Sequence, residues 1–294
     1  AAIQAMKAAL YERMADVLVR RIPGAYARVV YDDDMARDRE AIHDHVALQL
    51  VLPAGFAFSL RIHHDREQVL LHRLLSDAHV RPRAQAALTR YDTRFVHAPA
   101  HHAALSALQD RHAALAPTVR LVRRWFGAQL LLGHVGPETL DLLCAAVFLT
   151  NAHAVPATGL HGFVRVLTLL AHWDWREVPL LLPLENATRL AHQRKAALSD
   201  GGVSALPSER APTFPAAQRA DAEQHFRAMR ARDPAYRHYT WVVATEHDTD
   251  AKAWMHAAPS AMVADGVRQL ARRAVLALEH DALHAMPALF APAY

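Results

Sequence analysis

The segment from Thr118 to Leu149, TVRLVRRWFGAQLLLGHVGPETLDLLCAAVFL, constrains the fold more than any other part of the chain. It reads as two helices separated by a turn at Gly133 and Gly136-Pro137. The second helix is apolar on nearly every side, and such a helix has to be surrounded by other elements. A chain of 294 residues can supply them: at that length about three quarters of the unfolded surface is buried, and two or three domains are expected. Cys144 lies inside the apolar helix and reads as a small buried hydrophobe. It is the only cysteine, so no internal disulfide can form, which suits a cytosolic or nuclear compartment. No run reaches about 18 uncharged apolar residues, so no membrane-spanning helix is expected. The first residues lack the organisation of a signal peptide. They open directly in a helical pattern without an initiator Met, which reads as the start of a fragment.

Periodicity divides the chain. Ile3, Met6, Leu10, Met14, Val17 and Leu18 recur at helical spacing and predict an inward apolar face, ended by Pro23-Gly24. A polar loop follows. Val46, Leu48, Leu50 and Leu52, then Phe56, Phe58, Leu60 and Ile62, alternate on either side of Pro53-Ala54-Gly55, predicting an antiparallel hairpin with one buried face. From about Ala100 to Leu198 the pattern is helical: Pro117 suits a first helical turn, and Thr158 suits an N-cap. The segment WDWREVPLLLPL leaves that pattern. Ser199 to Gln218 is rich in Pro, Gly and Ser and reads as a linker. A polar helix near Ala217–Arg230, a strand in YTWVVAT and a helix from Pro259 to about Glu279 follow it. The fold class is α+β, with expected domains 1–78 (mixed α and β), 79–198 (helical) and 219–294 (α/β). No internal repeat of fixed period is present.

Common catalytic anchors are missing. The chain has no GxSxG elbow, P-loop, HExxH or CxxC pair. Histidines cluster at His43/His45, His63-His64-Asp65 and His101-His102, but without metal-ligand spacing, so no metal site is expected. PGAYARVVYDDDM mimics a nucleotidyltransferase turn, in which a small-residue loop precedes two carboxylates that hold paired Mg²⁺ ions. Ala25 stands where a serine is usual, too few residues separate the turn from Asp32 and Asp34, and ARDRE follows rather than a strand. A solvated acidic loop is the expected reading.

Net charge is +4 and the pI about 9.4, which permits a nucleic-acid partner without requiring one. Thirty of the 33 basic residues are arginine, and 21 residues are histidine, a bias also expected from GC-rich coding. Arg120, Arg123 and Arg124 share one helix face, and Arg268, Arg272 and Arg273 share another. These six are the candidate RNA-binding residues, through phosphate contacts. The alternative for both stripes is a solvated face paired with neighbouring acids.

Several segments resemble the C-terminal half of the nucleolar RNA-associated protein (Nrap) family. AIQAMKAALYERMADVL and GFAFSLRIHHDRE are similar to parts of that family's second nucleotidyltransferase-like domain. The Thr118–Leu149 segment and GLHGFVRVLTLLAHWDWREVPLLL resemble its helical domain, akin to poly(A) polymerase and oligoadenylate synthase. DPAYRHYTWVVATEHDTDAKAWMHAAPSAMVADGVRQLARRA resembles its final domain. The resemblance implies an inactive relative of archaeal CCA-adding enzymes: a subunit of the small-subunit processome in the nucleolus of the nucleus. Its implied partners are pre-ribosomal RNA and other processome proteins, and it implies no cofactor, no metal and no catalysis. The alternative is an active template-independent nucleotidyltransferase whose motif lies upstream.

Overall fold

The structure, a computed structural model, describes residues 2–31, 46–150, 155–185, 187–189, 213–254 and 258–291. Asp32, Asp34, His43, His45 and residues 199–212 of the expected linker lie outside them. The described residues form a mixed α+β protein with two compact units, Ala1–Pro99 and Ala100–Tyr294.

The first unit places helix α1 (Ala2–Arg21) against a three-stranded antiparallel sheet of β1 (Tyr26–Tyr31), β2 (Val46–Val51) and β3 (Ala57–Leu60), in that order. The predicted hairpin is β2–β3, with Leu48 opposite Leu60 and Leu50 opposite Phe58. Gly55 takes φ +85° in its turn, a conformation open to glycine at no steric cost. Val46, Leu48 and Leu50 are buried, whereas Phe56 and Phe58 near the turn are exposed. Strand β1 was not predicted; its YARVVY sequence pairs along the whole of β2.

The apolar face expected on α1 packs only at its edges: Leu18 lies against the cluster of the sheet and Ile3 is half-buried. Met6, Leu10, Met14 and Val17 are 42, 39, 36 and 46% exposed, while Lys7, Tyr11 and Ala15 are buried. Tyr11 accounts for the choice: its ring joins the cluster with Val46 and Leu48, and its hydroxyl accepts a hydrogen bond from the Ile62 backbone N–H at 2.6 Å. The Lys7 ammonium meets Glu67 at 2.6 Å, with the two side chains only 1 and 3% exposed. Glu67 lies on α2 (Asp65–Leu74), which packs on α3 (Arg81–Tyr91) through Leu71, Ala87, Leu88 and Tyr91. A π-helical turn, Asp92–His97, follows α3.

The second unit contains all but the first two residues of α4 (Ala98–Arg111), and then α5 (Leu115–Ala128), α6 (Pro137–Leu149), α7 (Gly159–His172), β4 (Leu180–Leu182), α8 (Ala216–Arg232), β5 (Val243–Thr245) and α9 (Ala261–Leu289). Helix α6 is the centre foreseen from its sequence: Leu140 and every residue from Leu142 to Leu149 are buried. Gly136 is its N-cap and Pro137 its first residue, while Thr158 caps α7 by accepting the His161 N–H. Helices α5 and α7 cross closely. A Cβ on Gly162 would lie 2.0 Å from Thr118 Oγ1, and one on Gly159 would lie 2.6 Å from Pro117 Cβ.

The C-terminal segment, expected to stand as a unit of its own, shares this core. Strand β5 pairs in parallel with β4, Leu180 opposite Val243. Ala264, Val267, Ala271 and Ala274 of α9 belong to one apolar cluster with Trp125, Phe163 and Val166. The polar helix α8 begins at Ala216, inside the expected linker, and packs Ala222 and Phe226 on Val242 and Ala244.

Candidate functional site

The two arginine stripes are largely committed to the fold. Arg123 holds Asp141 through both carboxylate oxygens, at 2.7 and 2.9 Å, and so ties α5 to α6. Arg124 lies over the Phe290 ring at 5.4 Å. On α9, Arg268 stands 3.8 Å from Asp174, and Arg272 donates from Nε to the Ala171 carbonyl at 3.0 Å, at the end of α7. Arg120 and Arg273 are exposed, with no ion-pair partner among the described residues.

The densest arginine chemistry lies elsewhere, where α8 turns toward β5. The Asp233 carboxylate accepts backbone N–H groups from His238 at 2.7 Å, Arg237 at 3.0 Å and Tyr239 at 3.1 Å. These donors, His238 first, hold its pKa below the usual carboxylate value. The loop Asp233–Thr240 is thereby wound on one side chain. Arg230 then clips it to the chain ahead of β4. Its guanidinium donates to the carbonyls of Tyr239 and Thr240 on one side, and to those of Trp175 and Arg176 on the other. Burial pushes the Arg230 pKa down, and the ring of Phe226, 4.5 Å away, covers the cation.

Two guanidiniums lie near the Tyr236 ring. The Arg230 cation is 5.1 Å from its ring centroid and that of Arg176 is 5.4 Å. Arg176 lies 4.1 Å over the Trp175 ring and is held by Asp265 at 2.6 Å. The Tyr236 backbone is in the left-handed region at φ +54°, which is uncommon for a bulky residue and costs of order 1–3 kcal/mol. A cavity of about 510 Å³ opens here, lined by Arg176, Glu177, Val178, Arg227, Arg230 and Tyr236 among others.

The histidine groups are put to structural use. His63 meets the Tyr91 hydroxyl at 2.6 Å and lies 3.4 Å from Asp65, while His64 caps α2 by accepting the Arg66 N–H. His101 approaches Asp141 at 3.9 Å, and its ring meets that of Trp254 at a tilt of 58° with the centroids 5.2 Å apart. Among the described residues no group of three His, Cys, Asp or Glu is placed to hold a metal. Cys144 is fully buried and its thiol pKa is pushed up by desolvation, so it is inert as a nucleophile. Near β5, Asp248 is raised to about 6 by burial and by its neighbour Asp250. Gly24, at φ +79°, makes the turn into β1. No Asp or Glu occurs in β1, β2 or β3.

Two family descriptions cover nearly the whole chain. "Nrap protein nucleotidyltransferase domain 4" matches residues 1–110, and "Nrap protein PAP/OAS1-like domain 5" matches residues 112–292. The chain belongs to the Nrap family. Its second compact unit, with α9 and β5 in one core with α5 to α7, corresponds to a single Nrap domain rather than two. Among relatives, U3 small nucleolar RNA-associated protein 22 of Schizosaccharomyces pombe is 28% identical over 240 residues, covering 81% of this chain and 20% of the relative. The protein of that name in Saccharomyces cerevisiae is 25% identical over 209 residues, covering 69 and 17%. Nucleolar protein 6 of Homo sapiens is 28% identical over 280 residues, covering 95 and 20%. This Nrap chain therefore spans about a fifth of the length of the relatives it matches.

The loop that winds on Asp233 was quoted in the sequence analysis, but its role was missed. An Arg on the last turn of a helix followed by Asp-Pro and alternating Tyr and Arg was the available signal. Two of the four carbonyls that hold the Arg230 clip, those of Trp175 and Arg176, lie more than fifty residues away in the chain, which no local pattern discloses.

Proposed function

We propose that this Nrap chain is part of a nucleolar protein that acts in rRNA processing and small-subunit ribosome assembly. It serves there as a non-catalytic structural subunit of the small-subunit processome and touches pre-ribosomal RNA and other processome proteins. The observation that carries this reading is the consecutive match to Nrap domains 4 and 5, shared with relatives whose names are nucleolar.

The non-catalytic part is supported by the sheet of the first unit. Two-metal nucleotidyl transfer needs carboxylates to bridge the ions. Strands β1 to β3 bear none, and the Gly24-Ala25 turn leads into YARVVY. A body of this kind retains helical faces for proteins and cationic surface for RNA, and of the two stripes only Arg123 and Arg268 are in ion pairs among the described residues.

The test is incorporation of labelled NTPs onto an RNA primer with Mg²⁺ or Mn²⁺. None is expected with this chain. Robust incorporation abolished by Asp32→Ala or Asp34→Ala overturns the non-catalytic reading.

A further inference from the structure

We infer that the cavity beside Tyr236 is a binding site for single-stranded RNA, in which a base stacks in the pocket and the adjoining phosphates meet Arg232 and Arg237. The inference rests on the RNA-contact part of the function proposed above and gives it a location that neither arginine stripe provides.

Three observations carry it. The first is shape and chemistry. A volume of about 510 Å³ is in the range of small-ligand pockets, about 300–1,000 Å³, and the residues that line it include Tyr236, Phe226, Arg176 and Arg230. Planar rings and guanidiniums are the groups on which bases of any sequence stack. The second is preorganisation. Asp233 takes three backbone N–H groups and Arg230 four carbonyls, so the loop is fixed before any ligand arrives, and Tyr236 is held in a left-handed conformation that the loop alone would not favour. The third is free charge. From Arg227 to His238 the chain reads RAMRARDPAYRH. Asp233, its one acid, is turned to the backbone. Arg232 and Arg237 are exposed and without carboxylate partners among the described residues, and the Arg227 side chain is 77% exposed and pairs with Glu223 at 3.6 Å. A polyanion with planar bases fits this combination better than an acidic peptide, whose carboxylates have no use for a stacking wall. Glu177 and Glu223 also line the pocket and oppose a phosphate there, which places the phosphates outside, on Arg232 and Arg237.

The test uses the full 294-residue chain and a fluorescein-labelled oligo(U) strand of roughly 12 nucleotides, read by anisotropy across a salt series. Arg232→Ala with Arg237→Ala should weaken binding at least about five-fold and reduce the salt slope by about 1.4, at 0.7 per lost contact. Tyr236→Gly, which suits the left-handed backbone, should weaken binding with the slope unchanged, and Tyr236→Phe should retain it. Glu177→Gln with Glu223→Gln should tighten binding, a gain that a folding defect cannot imitate. Binding that survives the Arg232/Arg237 and Tyr236→Gly changes but falls with Arg120→Ala, Arg123→Ala and Arg124→Ala overturns this site and leaves the RNA reading standing. No binding by the unaltered chain overturns both. Displacement by inorganic polyphosphate as effective as by unlabelled oligo(U) removes the stacking role, and stronger displacement by an acidic peptide reassigns the site to protein; either result overturns the inference.

Discussion

A charge withheld from water has to be answered by its neighbours, and Lys7 and His112 answer differently. Lys7 is answered by Glu67, whose carboxylate oxygen lies 2.6 Å from its ammonium, with both side chains sealed from solvent. Removing one member of such a pair strands the other, at a cost of about 3–5 kcal/mol, whereas apolar replacement of both is often close to neutral. Lys7→Met should therefore lower the urea midpoint markedly, and adding Glu67→Met should recover at least half of the loss; a double variant less stable than Lys7→Met refutes the pairing argument. His112 has no carboxylate partner among the described residues. Burial lowers its pKa to about 4, with Arg111 adding to the shift, and its ring lies 5.5 Å from that of Phe148. Between about pH 6.5 and 4 the unfolded chain binds a proton there that the folded chain refuses. Stability thus falls as the pH drops through that window. His112→Phe should show a shallower loss of Tm from pH 7 to 4 than the unaltered chain, and parallel curves refute the assignment. Neither behaviour is written locally in the sequence: lysine and histidine read as surface residues until their packing partners are known.

At the scale of elements, periodicity served well where burial surrounds the helix and misled where it does not. Helix α6 is apolar on nearly every side, so hardly any choice of face arises, and its cap at Gly136 and first residue Pro137 stand where the sequence placed them. Helix α1 offers two faces, and hydrophobicity alone selects the one whose middle, Met6 to Val17, is exposed. Lys7 and Tyr11 turn inward because Glu67 and the Ile62 N–H receive their polar ends, a long-range match that a moment of apolar residues cannot detect. The exposed stripe yields a direct check. Met6→Gln, Leu10→Gln and Met14→Gln should each change stability by no more than about 0.5 kcal/mol, the usual range for surface changes. Core truncations of such residues cost about 2–5 kcal/mol, so losses of that size restore the face first read from the sequence. The crossing of α5 on α7 is the opposite case, a contact with no slack. Gly162→Ala drives a methyl into Thr118, and overpacking of this kind costs about 1–3 kcal/mol or more. Thr118→Ala, which removes the obstructing hydroxyl and methyl, should rescue part of the loss. Full additivity of the two changes in thermal melts counts against the contact.

The organisation of the whole molecule was the part least readable in the sequence, and the reason is the linker. A stretch rich in Pro, Gly and Ser signals a boundary, and residues 219–294 look self-sufficient beyond it, with helix, strand and helix in order. Yet β5 is three residues long and finds its only named strand partner, among the described residues, in β4 before that stretch. Helix α9 buries Val267 and Ala271 in the cluster of Trp125 and Phe163, and Arg272 reaches the last turn of α7. Sequence proximity defines the apparent unit, but apolar burial defines the real one, and a two-stranded parallel ribbon has no independent stability. A chain ending at residue 198 is therefore expected to lose more than its missing residues. Its helices α5 to α7 would expose the apolar surface that α9 covers. We expect ANS binding and a broad, weakly cooperative melt in far-UV circular dichroism, against a cooperative transition for the 294-residue chain. A sharp transition near the temperature of the intact chain would make the C-terminal segment a separate domain after all. It would also detach the Arg230 clip, and with it the Tyr236 pocket, from the stability of the helical body, since Trp175 and Arg176 would then hold their places without the guanidinium that spans their carbonyls and those of Tyr239 and Thr240.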